Sequence, residues 1–320
     1  MEATWAIILG SLVGGVALSL FLFRDRRSVH DDAVVVITGG SAGIGLAYAQ
    51  SIVSKHRPKK VVLLARNQDT LEKAKKVVME SRSSPTTKVE IVACDVSDDQ
   101  QAESVSRLLS DVTVFVNCAG LSYPTELEAL SVSQIQTMVN TNLLGSIYLT
   151  RRLIPYMKSS THSTKGIVFV SSQAGQAGLY GYTAYSATKF ALRGLAEALQ
   201  MELKPFGVFV SVAYPPDTKT EAFDRENEMK PEATRLMSSN EPMEALEVGS
   251  ILCSGIERRN FSIWFNFDGF MLTQLTSGFC PPNSVWHLAY QVVCMGFFRL
   301  VAAGYLEYFA SIVRKNKTVI

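Results

Sequence analysis

Val34-Val-Val-Ile-Thr38-Gly-Gly-Ser-Ala-Gly43-Ile-Gly45 hands an apolar run to a glycine-rich turn, and the turn to a segment of helical pattern. Such a strand, turn and helix let backbone N–H groups approach a pyrophosphate at the helix N-terminus. Glycines alone would read equally well as a plain turn. The strand before them and the helix after them supply the context that a dinucleotide-binding motif requires.

Outward from that turn the pattern repeats. Apolar segments at 34–38, 61–65, 89–93, 112–117, 167–171 and 208–213 alternate with helical segments, the rhythm of βαβ units. The expected fold is α/β: a doubly wound parallel sheet of Rossmann type, covered on both faces. No internal repeat or low-complexity tract interrupts it.

Further along, Thr183-Ala-Tyr185-Ser-Ala-Thr-Lys189-Phe-Ala-Leu-Arg-Gly-Leu-Ala-Glu-Ala-Leu places a phenol and an ammonium four residues apart on one helix face. At a separation of about 4 Å and an effective dielectric of about 20, their attraction is about 4 kcal/mol. That is enough to draw a phenol toward neutrality and make Tyr185 a proton donor. The spacing is common by chance, and a surface pair is the other reading. Ser172, after the strand-like run Gly166-Ile-Val-Phe-Val170, and Asn142 give it company.

Taken together, Thr38-Gly-x-x-x-Gly43-x-Gly45, Asn142, Ser172 and Tyr185-x-x-x-Lys189 resemble the short-chain dehydrogenase/reductases, a likeness that runs from about Val34 to the C-terminus. The resemblance implies a catalytic set of Asn142, Ser172, Tyr185 and Lys189. Ser172 is preferred to Ser171 because the family's serine stands 13 residues before its tyrosine; Ser171 is expected to face inward at the strand end. Asn142 matches the helix-distorting asparagine that positions a water beside the lysine. The implied cofactor contacts are Gly39, Ser41, Ala42, Gly43, Ile44 and Gly45 in the turn, Asp95 and Val96 at the adenine edge, Asn117 in the turn after the fourth strand, and Tyr185 and Lys189 again. Tyr214-Pro-Pro-Asp-Thr218 resembles the segment beside the nicotinamide, with Pro216 where the family has glycine.

At the end of the second strand, where an NAD-preferring site carries an acidic residue, the chain has Arg66. A guanidinium there can fork onto a ribose 2′-phosphate, so NADPH is the expected cofactor; the alternative is a solvated surface charge. No metal is expected.

Lysine plus arginine number 31 and aspartate plus glutamate 29, which leaves no electrostatic footprint for nucleic acid. The five cysteines, Cys94, Cys118, Cys253, Cys280 and Cys294, are odd in number and widely spaced, as in a reduced, cytosol-facing domain. The hydrophobic share of 47% is concentrated at the two ends. Residues 3–23 carry no charge and would span about 30 Å as a helix, a bilayer core's thickness. Arg24, Arg26 and Arg27 follow, which places the rest of the chain on the cytosolic side; a cleaved signal peptide is the competing reading.

The expected division is a membrane anchor at 1–27, an NADPH-binding catalytic domain at 28–260 reached through a polar linker at 28–32, and an apolar membrane-associated segment at 261–320. Residues 221–241, charged and without a clean period, are expected to form a mobile lid. The apolar segment can span, re-enter or lie on a membrane, or close a pocket or a homo-oligomer face. An endoplasmic-reticulum oxidoreductase tethered in this way suits a long-chain lipid ketone substrate; retinoids, steroids and 3-ketoacyl-CoA are alternatives, as is a catalytically silent membrane scaffold.

Overall fold

The computed structural model describes residues 28–238 and 241–316. The anchor expected at 1–27 lies outside the described residues.

Six parallel strands follow the expected runs: β1 (Val34–Thr38), β2 (Lys60–Ala65), β3 (Lys88–Ala93), β4 (Val114–Asn117), β5 (Lys165–Val170) and β6 (Val208–Ala213). A two-stranded ladder, β7 (Thr218–Lys219) with β8 (Met243–Glu244), stands apart. β9 (Ser262–Ile263) pairs with β6 and completes a seven-stranded sheet of order β3-β2-β1-β4-β5-β6-β9. Thus the sheet takes its edge strand from beyond residue 260. β9 escapes a pattern search because two residues are too short to show a period.

The pleat sorts the side chains. Val35, Ile37, Val61 and Leu63 join one buried cluster with α1 (Gly43–Lys55), α2 (Gln68–Glu80) and α9 (Ala245–Glu257). Val36, Val62, Leu64, Phe115 and Phe169 join the other with α3 (Asp99–Leu108), α5 (Gly145–Ser159) and α6 (Thr183–Leu203). Residues one apart therefore face opposite layers, and each fully buried side chain of this size contributes about 1.5–3 kcal/mol. The chain leaves β1 toward β2 and β3 on one side and returns to β4 on the other, so a cleft opens between the C-terminal ends of β1 and β4.

Residues 28–32 are no solvated linker. Val29 and His30 are fully buried; His30 places Nδ1 2.6 Å from Glu257 and Nε2 2.9 Å from the Tyr48 hydroxyl, while the Val29 amide donates to Glu257. Burial lowers the imidazole's pKa against the pull of Glu257, and a neutral ring can be buried where a cation would not be. His56 and Cys253 lie near enough to His30 for their ligand atoms to fall within 4.8 Å of one another, but both His30 nitrogens are already engaged.

The charged stretch after β7 folds as α7 (Glu221–Met229), capped by Thr220, and α8 (Glu232–Met237). α7 has no fully buried residue, which is why no period shows in its sequence. Downstream, α10 (Phe267–Leu275) leads to α11 (Val285–Lys315).

α11 is the one helix among the described residues that is long and apolar enough to cross a membrane. Its buried residues are His287, Gln291, Phe298 and Ile312, while Val292, Val293, Phe297, Leu300, Tyr305 and Leu306 are exposed. Two of the four buried side chains are thus polar while most of the apolar ones face outward, unlike the apolar stripe a soluble domain's helix turns to its core. Trp264 and Phe270 hold the helix's first half through ring contacts with His287, Tyr290 and Phe298.

Candidate active site

The glycine turn sits where β1 meets β4. Thr38 Oγ1 accepts from the Cys118 and Ala119 amides at 3.0 and 3.1 Å, pinning the two strand ends together. Gly39 has φ +65°, and a Cβ there would stand 3.0 Å from Ala119 backbone atoms. A Cβ on Gly45 would fall 2.4 Å from the Gly39 carbonyl oxygen, so neither glycine can be replaced without moving the turn. α1 begins at Gly43 with Ala42 as a cap that makes no side-chain hydrogen bond, and its first turn has no acidic residue. Its opening N–H groups and dipole are thereby left to an anion. Thr220 packs close to Gly43, where an added Cβ would stand 3.2 Å from its methyl group.

Ser41, Ala42 and Ile44 keep some exposure in this turn. Arg66 is exposed at the end of β2, followed by Asn67, which caps α2 through the Thr70 amide. Asp95 is folded into its own turn, accepting from the Ser97 amide and hydroxyl at 3.0 and 2.7 Å. Val96 is buried against Gly145, where a Cβ would come within 2.8 Å of it. Asn117 is buried too, its amide donating to Thr150 on α5, which ties β4 to that helix.

On the other side of the cleft, α6 lays Ser186, Lys189, Leu192, Ala196, Leu199 and Leu203 against the sheet at spacings of three and four. Lys189 therefore enters the protein, and Tyr185 sits one turn before it at the cleft wall. Lys189 Nζ donates to the Val170 carbonyl at 2.9 Å, while the Ser171 hydroxyl donates to the Lys189 carbonyl at 2.9 Å. Ser171 is thus an inward brace between β5 and α6. Ser172 Oγ accepts from the Ala174 amide at 3.1 Å and its hydroxyl reaches the Tyr185 phenol.

Asn142 is fully buried in a π-helical turn, Val139–Leu144, between α4 (Val132–Met138) and α5. Its side chain bonds both the Leu121 amide and carbonyl at 2.9 Å and donates to Thr188 on α6 at 3.1 Å. Gly120 shows how close the groups come: a Cβ there would lie 3.2 Å from Lys189 Nζ and 3.3 Å from Asn142 Oδ1. The structure thus brings Asn142, Ser172, Tyr185 and Lys189 to one end of the cleft.

The electrostatics differ from the expectation drawn from the Tyr-x-x-x-Lys spacing. Burial raises the Tyr185 phenol above its ordinary pKa, and Glu226 adds to the rise, against the hydrogen bond from Ser172. Lys189 is 5.7 Å from the ring centroid with its ammonium turned to Val170, and its own pKa falls to about 8 through burial. Desolvation is the largest cause for both groups. The phenol is accordingly neutral at neutral pH, and the lysine is a cation below about pH 8.

Sequence reading did not single out the charges that crown the site. Lys230, buried, pairs with Asp217 at 3.1 Å and with Glu226 at 3.8 Å. Glu226 also accepts from the Tyr182 hydroxyl and, at 2.6 Å, from Ser122. The Tyr182 and Tyr185 rings lie 5.6 Å apart. Only the i,i+4 pair of Glu226 and Lys230 is visible locally; their partners are distant in the chain.

A sequence model of the family described as short chain dehydrogenase matches residues 33–231. The chain is similar to the 3-ketodihydrosphingosine reductase of Bos taurus, 45% identical over 289 residues that cover 88% of this chain and 86% of the relative. It is equally similar to the 3-dehydrosphinganine reductase of Danio rerio, with the same identity and coverage. Among solved structures, a short-chain dehydrogenase from Sphingobium yanoikuyae in complex with NADPH superposes with a TM-score of 0.63 at 24% identity, covering 72% of this chain and 87% of that one.

Proposed function

The chain belongs to the short-chain dehydrogenases, and from that premise we propose that it reduces 3-ketodihydrosphingosine to dihydrosphingosine with NADPH, a step of sphingolipid synthesis. The observation that carries this reading is the meeting of Ser172, Tyr185 and Lys189 beside the glycine turn, in a chain 45% identical to reductases of that name over nearly its whole length.

The cofactor's fit rests on the turn itself. Gly39 and Gly45 have no room for a side chain, α1 opens with uncapped N–H groups, and Arg66 stands exposed at the end of β2. The N–H groups around Gly43 to Gly45 would hold the pyrophosphate, Arg66 the 2′-phosphate, and Asp95 and Val96 the adenine edge. When bound, NADPH supplies the hydride for the ketone carbon.

The chain's own residues handle the proton. Tyr185, kept protonated by burial and by the nearby Glu226 charge, donates to the ketone oxygen, which Ser172 holds by hydrogen bond. Lys189, cationic below about pH 8, orients the ribose and, with Asn142 across Gly120, returns a proton to Tyr185. The outward apolar face of α11 supports attachment to a membrane, which suits a long-chain substrate. We place the protein at the endoplasmic reticulum with its catalytic unit in the cytosol, a reading that suits its five free thiols.

The test is NADPH consumption by the purified full chain with 3-ketodihydrosphingosine, a 3-ketoacyl-CoA, retinal and a steroid ketone. Turnover of the first above the others is expected. Preference for any other overturns the substrate assignment, and turnover of none returns the scaffold reading.

A further inference from the structure

The carboxylates near Tyr185 outnumber the ammonium that they pair with. Asp217 and Glu226 are two carboxylates that share one buried ammonium, Lys230, which sits 3.1 Å from the first and 3.8 Å from the second. One negative charge is left over, and it lies at the end nearer the longer contact, on Glu226. This carboxylate is held still. Ser122 donates to one oxygen at 2.6 Å and Tyr182 to the other, while Thr220 caps the helix that carries it. Tyr182 stacks obliquely on Tyr185 with centroids 5.6 Å apart, so a single ring separates Glu226 from the proton donor. Tyr180, on the same approach, is bound to Glu126, which keeps that neighbouring carboxylate engaged elsewhere.

A fixed surplus anion beside a proton donor hinders the chemistry unless something cationic joins it, because negative charge keeps the phenol from releasing its proton. Lys189 makes no ion pair with either carboxylate: its ammonium is directed to the neutral Val170 carbonyl. The ligand itself can. In 3-ketodihydrosphingosine the carbon next to the ketone carries an amine, protonated near neutral pH, so a substrate with its ketone at Tyr185 brings a cation to this side of the site. This step rests on the substrate reading above.

We propose that Glu226 is a specificity-determining residue that binds the substrate's ammonium, and that the Ser122, Tyr182 and Lys230 contacts hold its carboxylate in place for that purpose. The contact selects amino ketones over plain ketones and removes the surplus charge only when the right substrate is present. Lys230 limits the strength of the contact by sharing Glu226, as suits a product that must leave.

The test compares 3-ketodihydrosphingosine with the same chain bearing hydrogen in place of the amine, in the full-length protein with NADPH. For wild type, kcat/KM should favour the amine by about tenfold or more. Glu226→Gln should raise KM for the amine about tenfold and leave turnover of the des-amino ketone at or above the wild-type value, since it removes a charge that this ketone cannot neutralise; that retained turnover reports an intact fold. A second readout needs neither a variant nor turnover: dihydrosphingosine should raise the thermal midpoint of the wild-type protein with NADP⁺ at a concentration about tenfold below that needed by its des-amino counterpart. Equal losses on both ketones in the variant, or equal stabilisation by both alcohols, overturns the assignment of Glu226. A wild-type protein that turns over neither ketone overturns the substrate reading and this inference with it.

Discussion

Replacing Lys189 by methionine should make the cofactor-free protein more stable at neutral pH while destroying its activity. The lysine is 4% exposed, and burial takes its pKa from 10.5 to about 8. That fall corresponds to about 3 kcal/mol held against folding while the group is charged. Below pH 8 folded and unfolded chains both carry the proton, and the penalty is fully present. Between about 8 and 10.5 the unfolded chain keeps a proton that the folded one has lost, so wild-type stability climbs with pH relative to the variant; above 10.5 the penalty is gone. Methionine fills similar volume and removes the charge, but forfeits the hydrogen bond to Val170, worth about 1 kcal/mol. The net gain is about 2 kcal/mol at pH 7, or about 4–8 °C in the unfolding midpoint for a domain of this size. Tryptophan fluorescence of the detergent-solubilised protein, heated without cofactor at pH 7 and at pH 10, measures both ends. A variant less stable at pH 7, or a difference that does not shrink as pH rises, would refute the account of Lys189 as a buried cation.

Tyr185→Phe should lower turnover at least a thousandfold while NADPH affinity, followed by cofactor fluorescence, stays within threefold; activity within tenfold of wild type would remove Tyr185 from the proton step. Arg66→Glu should cost NADPH far more affinity than NADH, since it removes a pairing with the 2′-phosphate and adds repulsion; equal losses would show that Arg66 does not read that phosphate. Gly45→Ala, whose Cβ would meet the Gly39 carbonyl at 2.4 Å, should destabilise by about 1–3 kcal/mol and weaken NADPH binding at least tenfold, and unchanged binding would mean that the turn is not the phosphate cradle. A chain lacking residues 1–27 should still sediment with membranes after carbonate extraction because of α11, and complete release would assign that helix to a pocket or a dimer face.

The six main strands were readable because a parallel sheet buried on both faces demands unbroken apolar runs, and Val34 to Thr38 is buried throughout. Their ends shifted by one or two residues, as where Val112 falls in a turn and β4 starts at Val114, or where β2 begins at Lys60. Asn142, Ser172, Tyr185 and Lys189 were legible through their resemblance to the family's pattern rather than through spacing alone, and the structure brings them to one end of the cleft. Three things were hidden. The direction of the Tyr185 shift depends on desolvation and on Glu226, neither visible in a four-residue spacing. The burial of His30 depends on Glu257, 227 positions away. α11 looked merely apolar, and only its contacts reveal that the polar His287 and Gln291 are buried with Phe298 and Ile312 while most of its apolar side chains stay exposed.

The touch between Val96 and Gly145 makes one lever of two distant parts of the cleft. Val96 belongs to the loop proposed for the adenine edge, and Gly145 follows directly on the π-turn that carries Asn142. With a hypothetical Cβ only 2.8 Å from Val96 Cγ2 and 3.0 Å from its carbonyl oxygen, the gap leaves no slack, and a helix start cannot tilt without carrying the preceding turn. Remodelling the loop to accept a different base would therefore shift the Asn142 amide that holds Leu121 and Thr188. The segment proposed for the adenine edge and the one proposed for proton return are thus mechanically coupled through this contact, and a redesign of one calls for a compensating change at Gly145.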